Sequence, residues 1–144
     1  MANIQTNFLP GDRCIAYDHA AVGDVVIFFH GIGGNRVNWW DQLAAFAERL
    51  HAVAWDTRGY GLPDDYMGPL DFGDSIKGIL LLLDHLDVPT AHIVGLSMGG
   101  LIALGFNARS KDGVKTLSLS GARASFAQKI PEERGEFVHL CKKP

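Results

Sequence analysis

Cysteine is scarce in this 144-residue chain, and its two thiols, Cys14 and Cys141, lie near opposite ends of the sequence. There is no C-x-x-C pair and no cluster of cysteine with histidine, which argues against a zinc site and against a disulfide framework. We therefore expect two free thiols and no metal. Free thiols are typical of a reducing compartment, so we predict a cytoplasmic protein.

Long apolar runs and a strong charge imbalance are also missing. The apolar run at residues 79–83 is far shorter than the roughly 20 residues that cross a bilayer, and the first residues lack the basic start and apolar stretch of a secretory signal. A formal net charge of −3 provides no electrostatic attraction to nucleic acid or to an anionic membrane. Neither is predicted as a partner.

Strand patterns alternate with helix patterns along the chain. A turn at Pro10-Gly11 predicts a hairpin within residues 4–17. Continuous apolar runs are typical of strands buried on both faces, and apolar residues at helical spacing predict amphipathic helices. Such alternation favours an α/β fold with a mostly parallel sheet covered on both faces. The predicted strands are 25–29, 51–55, 91–94 and 114–119, and the predicted helices are about 36–49, 71–86 and 98–109.

The sequence Gly95-Leu96-Ser97-Met98-Gly99 matches G-x-S-x-G between a predicted strand and a predicted helix. Such a turn lifts a serine hydroxyl clear of the sheet, and its glycines leave room for neighbouring backbone. The positive end of the following helix favours a developing oxyanion. We predict Ser97 as a nucleophile, the backbone N–H of Met98 as an oxyanion donor, and Gly95 and Gly99 as supporting residues. The alternative is a glycine-rich turn with a structural serine.

A second glycine-rich segment, HGIGG at residues 30–34, follows the predicted strand 25–29. This is where a second oxyanion donor is expected, and we predict the backbone N–H of Ile32 in that role, with His30 and Gly31 in support. The alternative is a phosphate or dinucleotide loop. That reading lacks its third glycine, because Arg36 occupies the position, and no Gly-Lys-Ser/Thr follows. No cofactor is predicted.

The turn after the strand 51–55 reads Asp56-Thr57-Arg58-Gly59, with a further glycine at position 61. We interpret it as structural, with Arg58 reaching carboxylates or carbonyls of neighbouring loops. Of the histidines, His19, His51, His85 and His92 are interpreted as strand-edge or surface residues.

Together, the His30-Gly31 pair, the Asp56-x-Arg58-Gly59 turn and the G-x-S-x-G motif resemble the α/β-hydrolase superfamily, and most of all its 3-oxoadipate enol-lactonase-like esterases and lactonases. Pro63 departs from the pattern of those relatives, which commonly carry serine there. The resemblance implies an α/β-hydrolase core at residues 1–122 and the start of a helical cap at 123–144, truncated before the last strands. A serine at the elbow implies acyl-transfer chemistry.

A serine nucleophile needs a base that is oriented by an acid, and in this superfamily the order is serine, acid, histidine. After Ser97 the acids are Asp112, Glu132, Glu133 and Glu136, and the histidine is His139. Glu136 and His139 lie three residues apart on one predicted helix, whereas the triad needs loops after separate strands. We therefore expect the acid and the histidine to be absent and the chain to be inactive alone.

The predicted function is hydrolysis of small esters or lactones through an acyl-enzyme. The alternatives are a non-hydrolytic protein of the same fold (an acyltransferase, a cofactor-free perhydrolase or a small-molecule receptor) and a short protein that pairs with a second chain. The predicted partner is a small-molecule ester or lactone, with self-association possible through an unpaired sheet edge. Trp39, Trp40 and Met98 are candidates for the floor of the substrate pocket.

Overall fold

The computed structural model describes residues 2–60 and 71–122 of the chain. One six-stranded sheet organises this part, in the order β1-β2-β4-β3-β5-β6. Its strands are β1 (Gln5–Leu9), β2 (Asp12–Ala20), β3 (Val25–Phe29), β4 (His51–Trp55), β5 (Ala91–Leu96) and β6 (Val114–Ser120). The helices are α1 (Trp40–Phe46), α2 (Phe72–His85) and α3 (Met98–Arg109), with 3₁₀ turns at Arg36–Trp39 and Lys111–Gly113.

The sheet is antiparallel on one side and parallel on the other. Strand β1 pairs with β2, and β2 pairs with β4, both antiparallel. Strands β4, β3, β5 and β6 are parallel neighbours. The predicted hairpin and the predicted mostly parallel sheet are thus confirmed.

The central strand β3 explains why helices cover both faces of the sheet. All five of its residues are buried, and alternate side chains point to opposite faces. Ile27 and Phe29 belong to a core cluster that includes residues of α2 and α3. Val26 and Phe28 belong to a second cluster with Leu43 of α1. A strand buried on both sides needs the continuous apolar sequence that predicted it.

The single helix predicted for residues 36–49 is wrong. The chain forms the 3₁₀ turn Arg36–Trp39 and then the seven-residue α1. The turn starts at Asn35, whose side chain accepts from the Val37 amide while the Asn38 side chain accepts from the Asn35 amide. The amides of Arg49 and Leu50 both bond to the Phe46 carbonyl as the chain turns into β4. Helical spacing of apolar residues does not distinguish one long helix from a 3₁₀ turn followed by a short α-helix and a further turn.

Strand β2 continues to Ala20, beyond the predicted end of the hairpin at residue 17, and two of the parallel strands also extend beyond their predicted ends. Strand β5 continues to Leu96 and β6 to Ser120, because Gly95 and Leu96 pair with Leu119 and Ser120 in the parallel register. Strand β6 lies at the edge of the sheet. The predicted cap at 123–144 and the turn around Pro63 lie outside the described residues. Within the described ranges, no helix combines the length and the apolar character needed to cross a membrane.

A histidine pair links three adjacent strands. The Asn7 side-chain amide lies 2.9 Å from His19 Nε2, and His19 Nδ1 lies 3.1 Å from His51 Nε2. These atoms belong to β1, β2 and β4, so the chain of contacts crosses the antiparallel side of the sheet. The interpretation of both histidines as strand-edge or surface residues missed this pairing, because it depends on which strands are neighbours.

Burial lowers the pKa of both histidines. For His19 burial is the main cause, opposed by Asp18 and reinforced by His85. For His51 the second cause is His19 itself. The folded chain therefore favours the neutral form of both imidazoles, and a proton binds more readily to the unfolded chain, whose histidines titrate at about pH 6.5.

We predict that the free energy of unfolding of the chain is level above pH 7 and falls as the pH drops below about 6.5, because the unfolded state then binds more protons than the folded state. His51→Gln should make this slope shallower without abolishing it, because burial lowers the pKa of His30 as well. His92→Gln, which leaves the pair intact, should keep the wild-type slope. Urea titrations between pH 7.5 and pH 5 measure the slope. Equal slopes in wild type and His51→Gln would contradict the assignment.

Candidate active site

Ser97 lies on the turn between β5 and α3, in a backbone conformation that is rare for a residue with a side chain. Its φ is +52° and its ψ is −112°. The Ser97 amide donates to the Ser120 carbonyl at 2.8 Å, and the Ser97 carbonyl accepts from the Gly100 and Leu101 amides. A conformation of this kind costs on the order of 1–3 kcal/mol and persists only where the surroundings enforce it.

Glycine is required around Ser97 because backbone from two directions comes very close. A Cβ added to Gly95 would lie 2.6 Å from the Gly100 Cα, and one added to Gly99 would lie 2.3 Å from the Phe29 carbonyl oxygen. Separations this short force the backbone to move. The spacing of the G-x-S-x-G motif therefore has a packing explanation: the first turn of α3 presses against β5 on one side and against the end of β3 on the other.

The structure brings the segment 30–34 against the Ser97 turn. A Cβ added to Gly31 would lie 3.4 Å from both the Ser97 Cβ and the Leu96 carbonyl oxygen. Ile32 and Met98, the residues with the predicted oxyanion donors, each follow one member of this close pair. Met98 opens α3, where an amide has no acceptor within the helix. Among the turn and loop hydrogen bonds of the described residues, neither amide donates to a carbonyl.

His30 is buried and uses both ring nitrogens. Its Nε2 accepts from the Thr57 amide at 3.0 Å, so its Nδ1 carries the proton and donates to the Gly31 carbonyl at 2.8 Å. Burial lowers the pKa of His30, against smaller opposing effects of the Gly31 carbonyl and Asp56. A neutral imidazole with both nitrogens engaged is not available to take a proton from Ser97.

Arg36 holds the other end of the segment. Its backbone amide and its guanidinium both bond to Asp56, at 2.7 and 2.5 Å, and its Nε bonds to Asp18 at 2.9 Å. Burial alone lowers the pKa of Arg36, but the charges of Asp56 and Asp18 outweigh it and raise the pKa. From the sequence, a comparable bridging role is predicted for Arg58 and not for Arg36. One signal was present: an aspartate inside a buried apolar strand needs a partner.

A cavity of about 400 Å³ opens beside the turn. It is lined by residues 30–34 together with Asn38, Trp39, Gln42 and Leu96. Of the three residues predicted for the pocket floor, Trp39 is thus a lining residue. Trp40 is 46% exposed and donates its indole N–H to Asp18 at 2.6 Å. Met98 is buried in the core.

A base for Ser97 is not found in the described part of the chain. No carboxylate or imidazole among residues 2–60 and 71–122 hydrogen-bonds to the Ser97 hydroxyl, and Asp112 is exposed in the 3₁₀ turn before β6. Glu132, Glu133, Glu136 and His139 lie outside the described residues. No group of three or more histidine, cysteine or acidic side chains in the described ranges is arranged to hold a metal ion.

Comparisons with known proteins identify the fold family. A family model described as the alpha/beta hydrolase fold matches residues 24–140. The 3-oxoadipate enol-lactonase 2 of Acinetobacter baylyi is 34% identical over 91 residues, which are 60% of this chain and 34% of that enzyme. The dihydrolipoyllysine-residue acetyltransferase component of the acetoin cleaving system of Pseudomonas putida is 34% identical over 97 residues, which are 67% of this chain and 26% of that protein.

A solved structure described as Est816, an N-acyl homoserine lactone degrading enzyme, superposes with a TM-score of 0.77 at 27% identity. The match covers 87% of this chain and 48% of that one. These findings confirm the predicted fold class and the resemblance to enol-lactonases. The chain spans only 34% of the length of the enol-lactonase and 26% of the length of the acetyltransferase component.

We predict that Gly99→Ala lowers the free energy of unfolding by about 1–3 kcal/mol, because the new methyl group meets fixed backbone of β3. Gly105→Ala, in the same helix, is the matched control. Its methyl group would lie 3.3 Å from the flexible end of Ile76, so the better helix propensity of alanine should raise stability by up to about 1 kcal/mol. Chemical denaturation of the two variants measures both changes. Equal effects of the two substitutions would refute the packing explanation.

Backbone strain at Ser97 predicts a difference between two variants that both lack the hydroxyl. Ser97→Gly should be more stable than Ser97→Ala by about 1 kcal/mol, because glycine adopts this conformation without a Cβ clash. Thermal denaturation of the pair isolates the strain from the loss of the oxygen. An alanine variant as stable as the glycine variant would show that the turn is unstrained.

Proposed function

The chain belongs to the α/β-hydrolase fold family, and we propose that it carries the nucleophile and the oxyanion donors of an enzyme that hydrolyses small esters or lactones. The observation that carries the proposal is the Ser97 turn itself. A serine at positive φ immediately precedes a helix, and the loop containing Ile32 packs directly against this turn. The hydrolytic relatives named above support the reaction class.

In the proposed reaction the Ser97 oxygen forms a bond to the carbonyl carbon of the substrate, and its proton passes to a base that the described residues do not include. The Ile32 and Met98 amides donate hydrogen bonds to the resulting oxyanion. One such donor is typically worth about 10²–10³-fold in turnover. The carbon–oxygen bond to the leaving alcohol then breaks, and the alcohol takes the proton from the base. Water attacks the acyl-enzyme, releases the acid and restores the Ser97 hydroxyl.

The proposed substrate class follows from the cavity beside the turn. Among its lining residues, Ile32, Trp39 and Leu96 are apolar, while Asn38 and Gln42 contribute neutral amides. A pocket of this composition favours a small uncharged acyl or lactone group over an ionic one. The names of the similar enol-lactonase and of the homoserine lactone degrading enzyme support the lactone half of this proposal.

A second candidate is transfer of the acyl group to an acceptor other than water. The acetyltransferase component of Pseudomonas putida favours it, since its match covers 67% of this chain. The two candidates share every step up to the acyl-enzyme. They differ in the product formed when a thiol or an alcohol competes with water, so product analysis with and without such an acceptor distinguishes them.

We predict that the intact protein carrying this chain hydrolyses p-nitrophenyl acetate, and that Ser97→Ala lowers kcat/KM by on the order of 10⁴-fold or more, because the nucleophile is lost. Ser118→Ala, an exposed serine on β6, is the matched control and should retain the wild-type value. The 144-residue polypeptide alone should show no turnover. Rapid stoichiometric labelling of Ser97 in that polypeptide by a fluorophosphonate would contradict the absence of a base.

A further inference from the structure

A buried ion cluster forms around Arg36, which follows Ile32 in the same loop. Arg36 bridges Asp18 of β2 and Asp56 at the end of β4, at 2.9 and 2.5 Å. Both carboxylate side chains are fully buried, and the Arg36 side chain is only 12% exposed. The pairing therefore takes place out of contact with solvent, where ion pairs are least screened.

Each carboxylate of the cluster has further donors. Asp18 also accepts from the Thr6 hydroxyl at 2.7 Å and from the Trp40 indole at 2.6 Å. Asp56 also accepts the backbone amide of Arg36 at 2.7 Å. Arg36 is thus held by its backbone amide and by two nitrogens of its side chain.

The opposite end of the loop is held by Thr57, the residue after Asp56, just beyond the end of β4. The Thr57 amide donates to His30 Nε2, while Asp56 accepts from Arg36. One dipeptide therefore anchors both ends of the segment 30–36. Between these anchors are three glycines, Ile32 and Asn35, and the one backbone hydrogen bond seen inside the segment runs from the Gly34 amide to the Gly31 carbonyl.

Stability alone is a poor explanation for the cluster. Three charges are taken out of water, and apolar side chains of similar volume often give equal or greater stability at such a position. A planar guanidinium, however, fixes the direction and the distance between two carboxylates in a way that apolar contacts do not. Within the loop, Ile32 packs against the core and Asn35 caps the following 3₁₀ turn. The three glycines add no side-chain contacts of their own, so an outside support restricts the backbone of the loop further.

We propose that Arg36 is a positioning residue for the proposed oxyanion donor: held between Asp18 and Asp56, it keeps the loop 31–36 seated so that Ile32 stays next to the Ser97 turn, against which Gly31 packs. The inference rests on the proposed acyl-transfer function for its kinetic consequence. Its structural part, the seating of the loop, stands independently of that function.

The test compares Arg36→Lys with Trp40→Phe in the intact protein that carries this chain. Lysine keeps the charge but replaces the planar guanidinium with a single nitrogen, so it cannot reproduce both the Nε contact to Asp18 and the terminal-nitrogen contact to Asp56 in their present positions. The Trp40 variant removes one donor to Asp18 and leaves the contacts of Asp56 in place. Three quantities are measured: the melting temperature, kcat and KM for p-nitrophenyl acetate, and the ¹H–¹⁵N resonance of the Ile32 amide.

We expect Arg36→Lys to lower kcat by about 10-fold or more, with KM within about 2-fold, since a displaced donor forfeits part of the roughly 10²–10³-fold that one oxyanion donor contributes. The Ile32 resonance should move. Trp40→Phe should lower the melting temperature and leave both kcat and the Ile32 resonance at their wild-type values. Losses of kcat in proportion to the loss of melting temperature in both variants, or an unchanged kcat in Arg36→Lys, would overturn the proposal.

A wild-type protein without turnover would refute the proposed function. The seating of the loop would then be tested by the Ile32 resonance alone. A shift of the Ile32 resonance in Arg36→Lys alone then supports the role of Arg36 in seating the loop, and an unchanged resonance overturns it. If Arg36→Lys does not fold, Asp56→Asn takes its place. Asparagine keeps an acceptor for the Arg36 amide and removes the charge that holds the guanidinium, so the same expectations apply.

Discussion

The close packing of the first turn of α3 against the end of β3 is the constraint on which the candidate site depends. At Gly99 the helix backbone lies so near the carbonyl oxygens of Phe29 and His30 that a single Cβ has no room. The core beneath Met98 and Ile102 holds the helix in this position. The strained conformation of Ser97 follows from that packing, because the chain must leave β5 and enter α3 within one residue.

The parallel register of three strands explains why residues far apart in the sequence meet here. Strand β3 lies between β4 and β5, and Phe29 pairs with both Trp55 and Gly95. The residues that follow these strands therefore lie together at the carboxyl ends of the strands, the edge of the sheet where ligand sites are generally found in open α/β sheets. Thr57 hydrogen-bonds to His30 on one side, and Ser97 lies beside Gly31 on the other.

Two kinds of buried polar group meet at this edge, and each is satisfied in its own way. His30 is held neutral by burial and bonds to backbone on both sides, at the Gly31 carbonyl and the Thr57 amide. Arg36 is charged and bonds to two carboxylates. Because buried polar groups are costly unless paired, both arrangements resist displacement. Together they hold a loop whose glycines offer no side chains for anchoring.

Sequence alone determined the elements whose causes are local. The apolar run of β3, the hairpin before it and the G-x-S-x-G motif all follow from neighbouring residues, so they were predictable. Only the tertiary structure decided which distant polar groups pair. Asp18 meets Arg36, and His19 meets His51, because particular strands and loops lie side by side. The period of a sequence pattern states which face of a strand is buried, but not which strand or loop lies next to it.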